Sequence, residues 1–282
     1  MLSDERPIRT TELALLPIPK NARDVGECIY CGSADRPLQR EHAVPNGLNG
    51  TWTLLRASCV ECAAVTHRFE RDSLKCLWPA IRSILSMQSR HKSHLASLPL
   101  VIEVSGAQRT IEVGREQFPL YLPTPISPVP GYVTGLPPDN ASTTQLRFLH
   151  IAGPSFQEVA RQYSADFVGA RLSFAPEEFA RTLAKIAFCT GVYALGLTPL
   201  RNSPIRNIIR GTDRNWGHWV GQWNGEEVNP AKGLHAMQVR ASGPDVHVVL
   251  RLFAQFGAPE YHVVLGSADP DFVNSDAWPW KD

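Results

Sequence analysis

At 282 residues, the chain is long enough for two compact domains at the usual ~100 to 200 residues each. Hydrophobic residues make up 43% and charged residues 20%, so enough apolar surface is present to offset the entropy of ordering, and a disordered chain is excluded. The formal net charge of +1 excludes a wholly basic protein that coats nucleic acid, although the positive excess falls in residues 1–94, where a local basic surface can form.

In chain order, residues 1–95 come first, carrying five of the six cysteines. Between Cys59 and Arg90, Val65, Phe69, Leu77, Ile81, Ile84 and Leu85 fall at spacings built largely from three- and four-residue steps, which predicts a helix that Pro79 kinks or divides. Residues 101–114 alternate about Ser105-Gly106 and predict a hairpin. Prolines crowd 119–138, where a semi-rigid linker or extended surface segment is expected, so 96–144 reads as hairpin plus linker. From 145 to 282 the pattern predicts an α+β domain. It holds a strand at Gln145, a helix from Pro176 to Leu195 with Phe179, Leu183, Ile186 and Thr190 on one stripe, and strands at 246–253 and 261–266. Arg201, Arg206, Arg210 and Arg214 precede Trp216, Trp219 and Trp223, a pattern that suits strand binding by pairing and stacking but more simply a buried aromatic segment beside a solvated loop. His218, His235, His247 and His262 have no ligand spacing.

No apolar run reaches the ~18 to 20 residues of a membrane span, and the opening MLSDERPIRT lacks the basic start and apolar stretch of a signal peptide. The chain therefore reads as cytoplasmic, without a membrane partner. In a reducing compartment its cysteines favour metal or redox chemistry over disulfides. Cys28-x-x-Cys31 and Cys59-x-x-Cys62 each close a tight turn that aims two thiolates at one point. One such pair alone would leave a thioredoxin-like redox site open. Two together favour a four-sulfur zinc site with no open position, hence structural. Cys76 and Cys189 read as ordinary buried cysteines on helices.

Between the pairs lies Arg40-Glu41-His42-Ala43-Val44-Pro45-Asn46-Gly47-Leu48-Asn49-Gly50. Cys28, Cys31, Glu41, His42, Pro45, Gly47, Gly50, Cys59 and Cys62 match in order the motif of the HNH endonuclease family, which residues 25–72 resemble. The resemblance implies an N-terminal zinc-stabilised ββα-metal nuclease domain in residues 1–95 and an α+β accessory domain behind it, hence an α+β protein. It departs in one place: Thr53, Leu54 and Leu55 stand where the family's middle Asn belongs.

Phosphodiester hydrolysis needs a base, and His titrates nearest neutrality, so His42 is expected as the general base. The resemblance implies a catalytic divalent ion, Mg²⁺ or Mn²⁺, beside Glu41, with His67 or Glu70 replacing the missing ligand. Those two are three apart on one helix face. On an ideal strand Glu41 and His42 point to opposite sides, so sharing a site requires the strand end to bend. Arg40, Arg68 and Arg71 are candidates for phosphate contacts, with solvated charges as the plainer reading. The expected function is metal-dependent cleavage of DNA, with RNA possible as substrate. The alternative is an inactive zinc-stabilised module that binds nucleic acid or protein.

Overall fold

The computed structural model describes residues 22–88, 97–138, 142–222 and 233–280. Strands β1 (Arg23–Asp24), β2 (Leu38–His42) and β3 (Thr53–Cys59) form a sheet in the order β1-β3-β2, with β2 antiparallel and β1 parallel to β3. Helix α1 (Val60–Cys76) starts at once, with Cys59 still extended as its N-cap. Its apolar stripe ends where Pro79 takes the first turn of a second helix, α2 (Pro79–Ile84). There the missing N–H costs nothing, so the proline divides the helix instead of kinking it.

Strands β4 (Ser97–Val104) and β5 (Ala107–Gly114) form the expected hairpin. Ser105 and Gly106 both have positive φ, 50° and 76°, which matches the right-handed twist of the strands they join. The stretch expected as a linker behaves differently. Residues Leu120–Ile126 form β6, with Leu122, Pro123, Thr124 and Pro125 buried, and Gly131–Thr134 form α3. Prolines survive in β6 because its ladder to β7 (Gln145–Ala152) lies on one side only. Its carbonyls also accept from afar: Trp78 Nε1 donates to Pro123 at 3.1 Å and Tyr261 Oη to Pro125 at 2.9 Å.

Helix α4 (Phe156–Tyr163) opens with a Ser155/Glu158 capping box, and β8 (Phe167–Gly169) pairs with the free edge of β4. Together they close a small core of Leu98, Leu100, Ile102, Val113, Phe118, Val159 and Val168.

Helix α5 (Pro176–Leu195) begins at Pro176, carries Glu177 and Glu178 in its first turn and is capped by Gly196, as its sequence predicts. The predicted stripe of Phe179, Leu183, Ile186 and Thr190 is buried, and burial extends beyond it. Every residue from Thr182 to Tyr193 is buried, the pattern of a helix covered all round. After it come α6 (Ile205–Arg210), α7 (Trp216–Trp219), β9 (Val220–Gln222), β10 (His235–Ser242), β11 (Asp245–Leu252), β12 (Tyr261–Ser267) and α8 (Pro270–Asn274). The last four strands form a sheet in the order β10-β11-β12-β9. Gly191 lets α5 approach it closely, since a Cβ there would lie 2.5 Å from Leu265 Cδ1.

On its other side α5 meets the cysteine-bearing module. Trp52 stacks on Tyr193 with centroids 5.7 Å apart, and Ser73 Oγ lies 3.0 Å from Thr182 Oγ1. One core cluster contains Tyr30, Leu54, Ala57 and Phe69 together with Leu183, Phe188, Val248 and Leu265. The architecture is α+β, and among the described residues no helix is long and apolar enough to cross a membrane.

Candidate functional site around the cysteine cluster and the His42 strand

Cys28 and Cys31 lie on a tight turn before β2, where Gly32 has φ 80° and donates to the Cys28 carbonyl at 2.8 Å. Cys59 ends β3 and Cys62 sits on the first turn of α1, so the strand-to-helix step brings the second pair against the first. The ligand atoms of all four lie within 4.8 Å of one another, with Cys31 and Cys59 sulfurs 3.8 Å apart. A tetrahedral ion with Zn–S bonds of ~2.3 Å sets its sulfurs ~3.8 Å apart, so the cluster fits a metal ion such as zinc. None of the four is in a disulfide. Cys62 donates to Cys28 and, with neighbouring backbone groups, brings the Cys28 thiol down to about 4 against the opposing effect of burial. Burial first of all pushes Cys59 up to about 11, and the hydrogen bond to Cys28 raises Cys62 further. Crowding thus favours one thiolate among thiols until a cation neutralises more. Arg206 of α6 donates from Nε to the Tyr30 carbonyl at 3.1 Å and adds positive charge beside Cys28 and Cys31.

The β2–β3 ladder shifts register between Gln39 and Glu41, and opposite it Arg56 adopts φ 46°. The shift lies before both Glu41 and His42, which pair in regular alternation with Leu54 and Thr53, so their side chains keep to opposite sides of β2. Glu41 turns inward, 7% exposed, while His42 is half-buried at the last position of β2. Its Nδ1 is buried near the Gly50 backbone, short of regular hydrogen-bond geometry. Burial, then the charge of Lys185, lowers the imidazole pKa below its ordinary 6.5, against a smaller opposing effect of Glu41. Beyond His42, Leu48 and Asn49 donate to the Pro45 and Asn46 carbonyls, and Asn49 Oδ1 accepts from the Gln88 N–H at 3.0 Å. Asn46 and Asn49 thus shape the turn.

What sequence reasoning missed is Lys185. This α5 residue is fully buried, with Nζ 2.9 Å from Glu41 Oε1 and 2.7 Å from Glu70 Oε1. It also donates to the His42 carbonyl and lies 3.4 Å from the Ala43 carbonyl. Burial alone would lower its pKa, but Glu41 and Glu70 outweigh it and raise the ammonium well above its usual range. Burial pushes the Glu70 carboxyl up while Lys185 opposes it. A lone lysine inside an apolar helix was the available signal, since such a residue is rarely buried unpaired.

These contacts change the expected ion site. Glu41 and Glu70 converge on an ammonium, and His67, exposed on α1, does not join them. Among the described residues the four cysteines are the only group of three or more such donors close enough to hold a metal. Glu41, His67 and Glu70 therefore do not fit as the ligand set of a catalytic divalent ion. Helical spacing brings His67 and Glu70 to one face, but Glu70 bends inward to Lys185.

His67 and Glu70 do line an open cleft of about 350 Å³ between the Pro45-Asn46-Gly47 turn and α1, with Arg71, Lys75 and Arg82 on its walls. Arg82, also unforeseen, is occupied by the Gly47 carbonyl at 2.8 Å. Arg40 and Arg68 are exposed, and exposed Arg71 pairs at 3.1 Å with half-buried Asp72.

Farther along the chain, Arg201 pairs with Glu27, while Trp216 and Trp219 pack against the core. Trp223 lies outside the described residues. His247 and His262 meet at 2.9 Å in the buried face of β11 and β12, and His235 bonds to the Leu48 carbonyl at 2.8 Å. Cys189 is buried, 3.4 Å from Tyr30 Oη, whereas Cys76 is only half-buried at the end of α1. No family model, curated protein or solved structure matches the chain.

Proposed function

We propose that this chain is an endonuclease of the HNH kind, hydrolysing phosphodiester bonds of DNA with His42 as general base, on a module held together by zinc at Cys28, Cys31, Cys59 and Cys62. The observation that carries this reading is the state of His42: half-buried at the end of β2 opposite Thr53, at the other end of the ladder from Cys59, with Nδ1 buried and a pKa lowered below 6.5. A neutral imidazole of this kind accepts a proton at Nε2 near neutral pH. In that role His42 takes a proton from water as the new P–O bond forms and the bond to the 3′ oxygen breaks, with the leaving oxygen taking up a proton in turn. Arg40, Arg68 and Arg71 are exposed nearby on β2 and α1 and can pair with flanking phosphates.

The test is cleavage of supercoiled plasmid by the zinc-loaded chain in Mg²⁺, in Mn²⁺ and in chelator, beside His42→Ala. Cleavage that falls ~10² to 10⁴-fold in a folded His42→Ala supports the assignment. No cleavage of DNA or RNA under any of these conditions overturns it.

A second reading, a zinc-stabilised binding module, draws support from Lys185, which occupies the two carboxylates that HNH-type catalysis would give to an ion. Retained DNA affinity without cleavage would select it.

A further inference from the structure

Four oxygens from two distant segments surround Lys185 Nζ: the carboxylates of Glu41 and Glu70 and the carbonyls of His42 and Ala43. Carboxylates and carbonyls are the donors that hard divalent ions choose. We propose that Lys185 is the resident cation of this oxygen cage, standing in place of a divalent ion, so that Glu41 and Glu70 bind no metal in the native protein.

Three features of the cage carry this. The ammonium forms ion pairs with Glu41 Oε1 at 2.9 Å and Glu70 Oε1 at 2.7 Å and donates to the His42 carbonyl, so its charge is met by the same oxygens that an ion would use. An Mg²⁺–O bond is near ~2.1 Å, so an ion could not share the cage with Nζ. The carboxylates are also largely withdrawn from solvent, with the Glu41 side chain 9% exposed and the Glu70 side chain 15% exposed at the wall of the cleft, so a hydrated ion would have to shed most of its water to reach both. Charge gives the converse: without Lys185, two buried carboxyl groups face each other with no cation between them, and a divalent ion that displaces any retained proton would match the charge of both.

Manganese binding to the zinc-loaded full-length chain, followed by electron paramagnetic resonance, reads this directly and does not require the protein to cleave anything. Wild type and Glu70→Gln should give the same Mn²⁺ titration. Lys185→Ala should gain a site at least tenfold tighter than any in the wild type, and Mn²⁺ should raise its melting temperature. Both gains should vanish in Lys185→Ala/Glu70→Gln. A tenfold weaker Mn²⁺ titration in Glu70→Gln than in wild type would overturn the proposal, as would a folded Lys185→Ala that gains no site. Should Lys185→Ala fail to fold even with Mn²⁺ present, the comparison of wild type with Glu70→Gln still decides.

Discussion

Gly50 has no room for a side chain: a Cβ there would lie 1.9 Å from the Val44 carbonyl oxygen, which the hairpin turn brings across it. Because the obstacle is backbone, no rotamer relieves it. Gly50→Ala should cost ~4 kcal/mol, at the severe end for single substitutions, and denaturant unfolding would measure it. A loss under ~1 kcal/mol would mean that the turn simply opens. Three residues before the Pro45 turn, His42 sets the pH dependence. A base works only when neutral, and burial with the Lys185 charge keeps the folded pKa below 6.5. Activity should therefore be level through neutral pH and fall as acid protonates the imidazole, with the midpoint of kcat/KM below 6.5. A midpoint above 6.5 would show that carboxylates dominate the surroundings of His42. Sequence makes His42 visible because its neighbours in the motif are adjacent in the chain. Lys185 is not visible in this way, since its partners lie more than a hundred residues away and only folding brings them together.

At the scale of elements, the two cysteine turns and the β3-to-α1 step place Ile29, Tyr30 and Ala57 in the core, but four thiols within 4.8 Å repel as they ionise. Zinc binding to such a set is worth ~10 kcal/mol or more in apparent folding energy. Stripping the metal should lower the melting temperature by at least ~10 °C and remove hydrogen-exchange protection first from residues 28–33 and 57–66. A chain that melts identically in chelator would show the cluster to be an ordinary set of buried thiols. Elements with local signals were legible in the sequence: α5 from Pro176 and Gly196, the β4–β5 hairpin from Ser105-Gly106, and the break between α1 and α2 from Pro79. Strand β6 was not. Its prolines signal a linker, but a ladder to β7 on one side only tolerates their missing N–H groups, while Trp78 and Tyr261, far away in sequence, satisfy the Pro123 and Pro125 carbonyls. Periodicity likewise gave α5 one buried face, because it cannot register a second surface closing over the opposite side.

For the whole molecule, the question is whether the cysteine-bearing module is a separable unit. Its apolar residues Tyr30, Leu54, Ala57 and Phe69 are each 1% exposed or less, and all lie in the core cluster that includes α5. Removing α5 would uncover Phe69, over which Arg181 sits at 4.8 Å, and Trp52, which stacks on Tyr193. It would also strip Lys185 from Glu41 and Glu70, and unpairing a buried charge costs ~3 to 5 kcal/mol. A segment this short has few apolar contacts left to offset such losses, and metal at the cysteines restrains only one end of the hairpin. A fragment of residues 1–95, loaded with zinc, should therefore show poor dispersion in its proton–nitrogen spectrum and no cooperative melt. Adding residues 97–282 as a separate chain should restore dispersed signals for His42 and Glu70, because the missing contacts come from α5 and not from the peptide link. A zinc-loaded 1–95 fragment that folds cooperatively alone would show that the module owes its structure to the metal and that α5 merely rests on it.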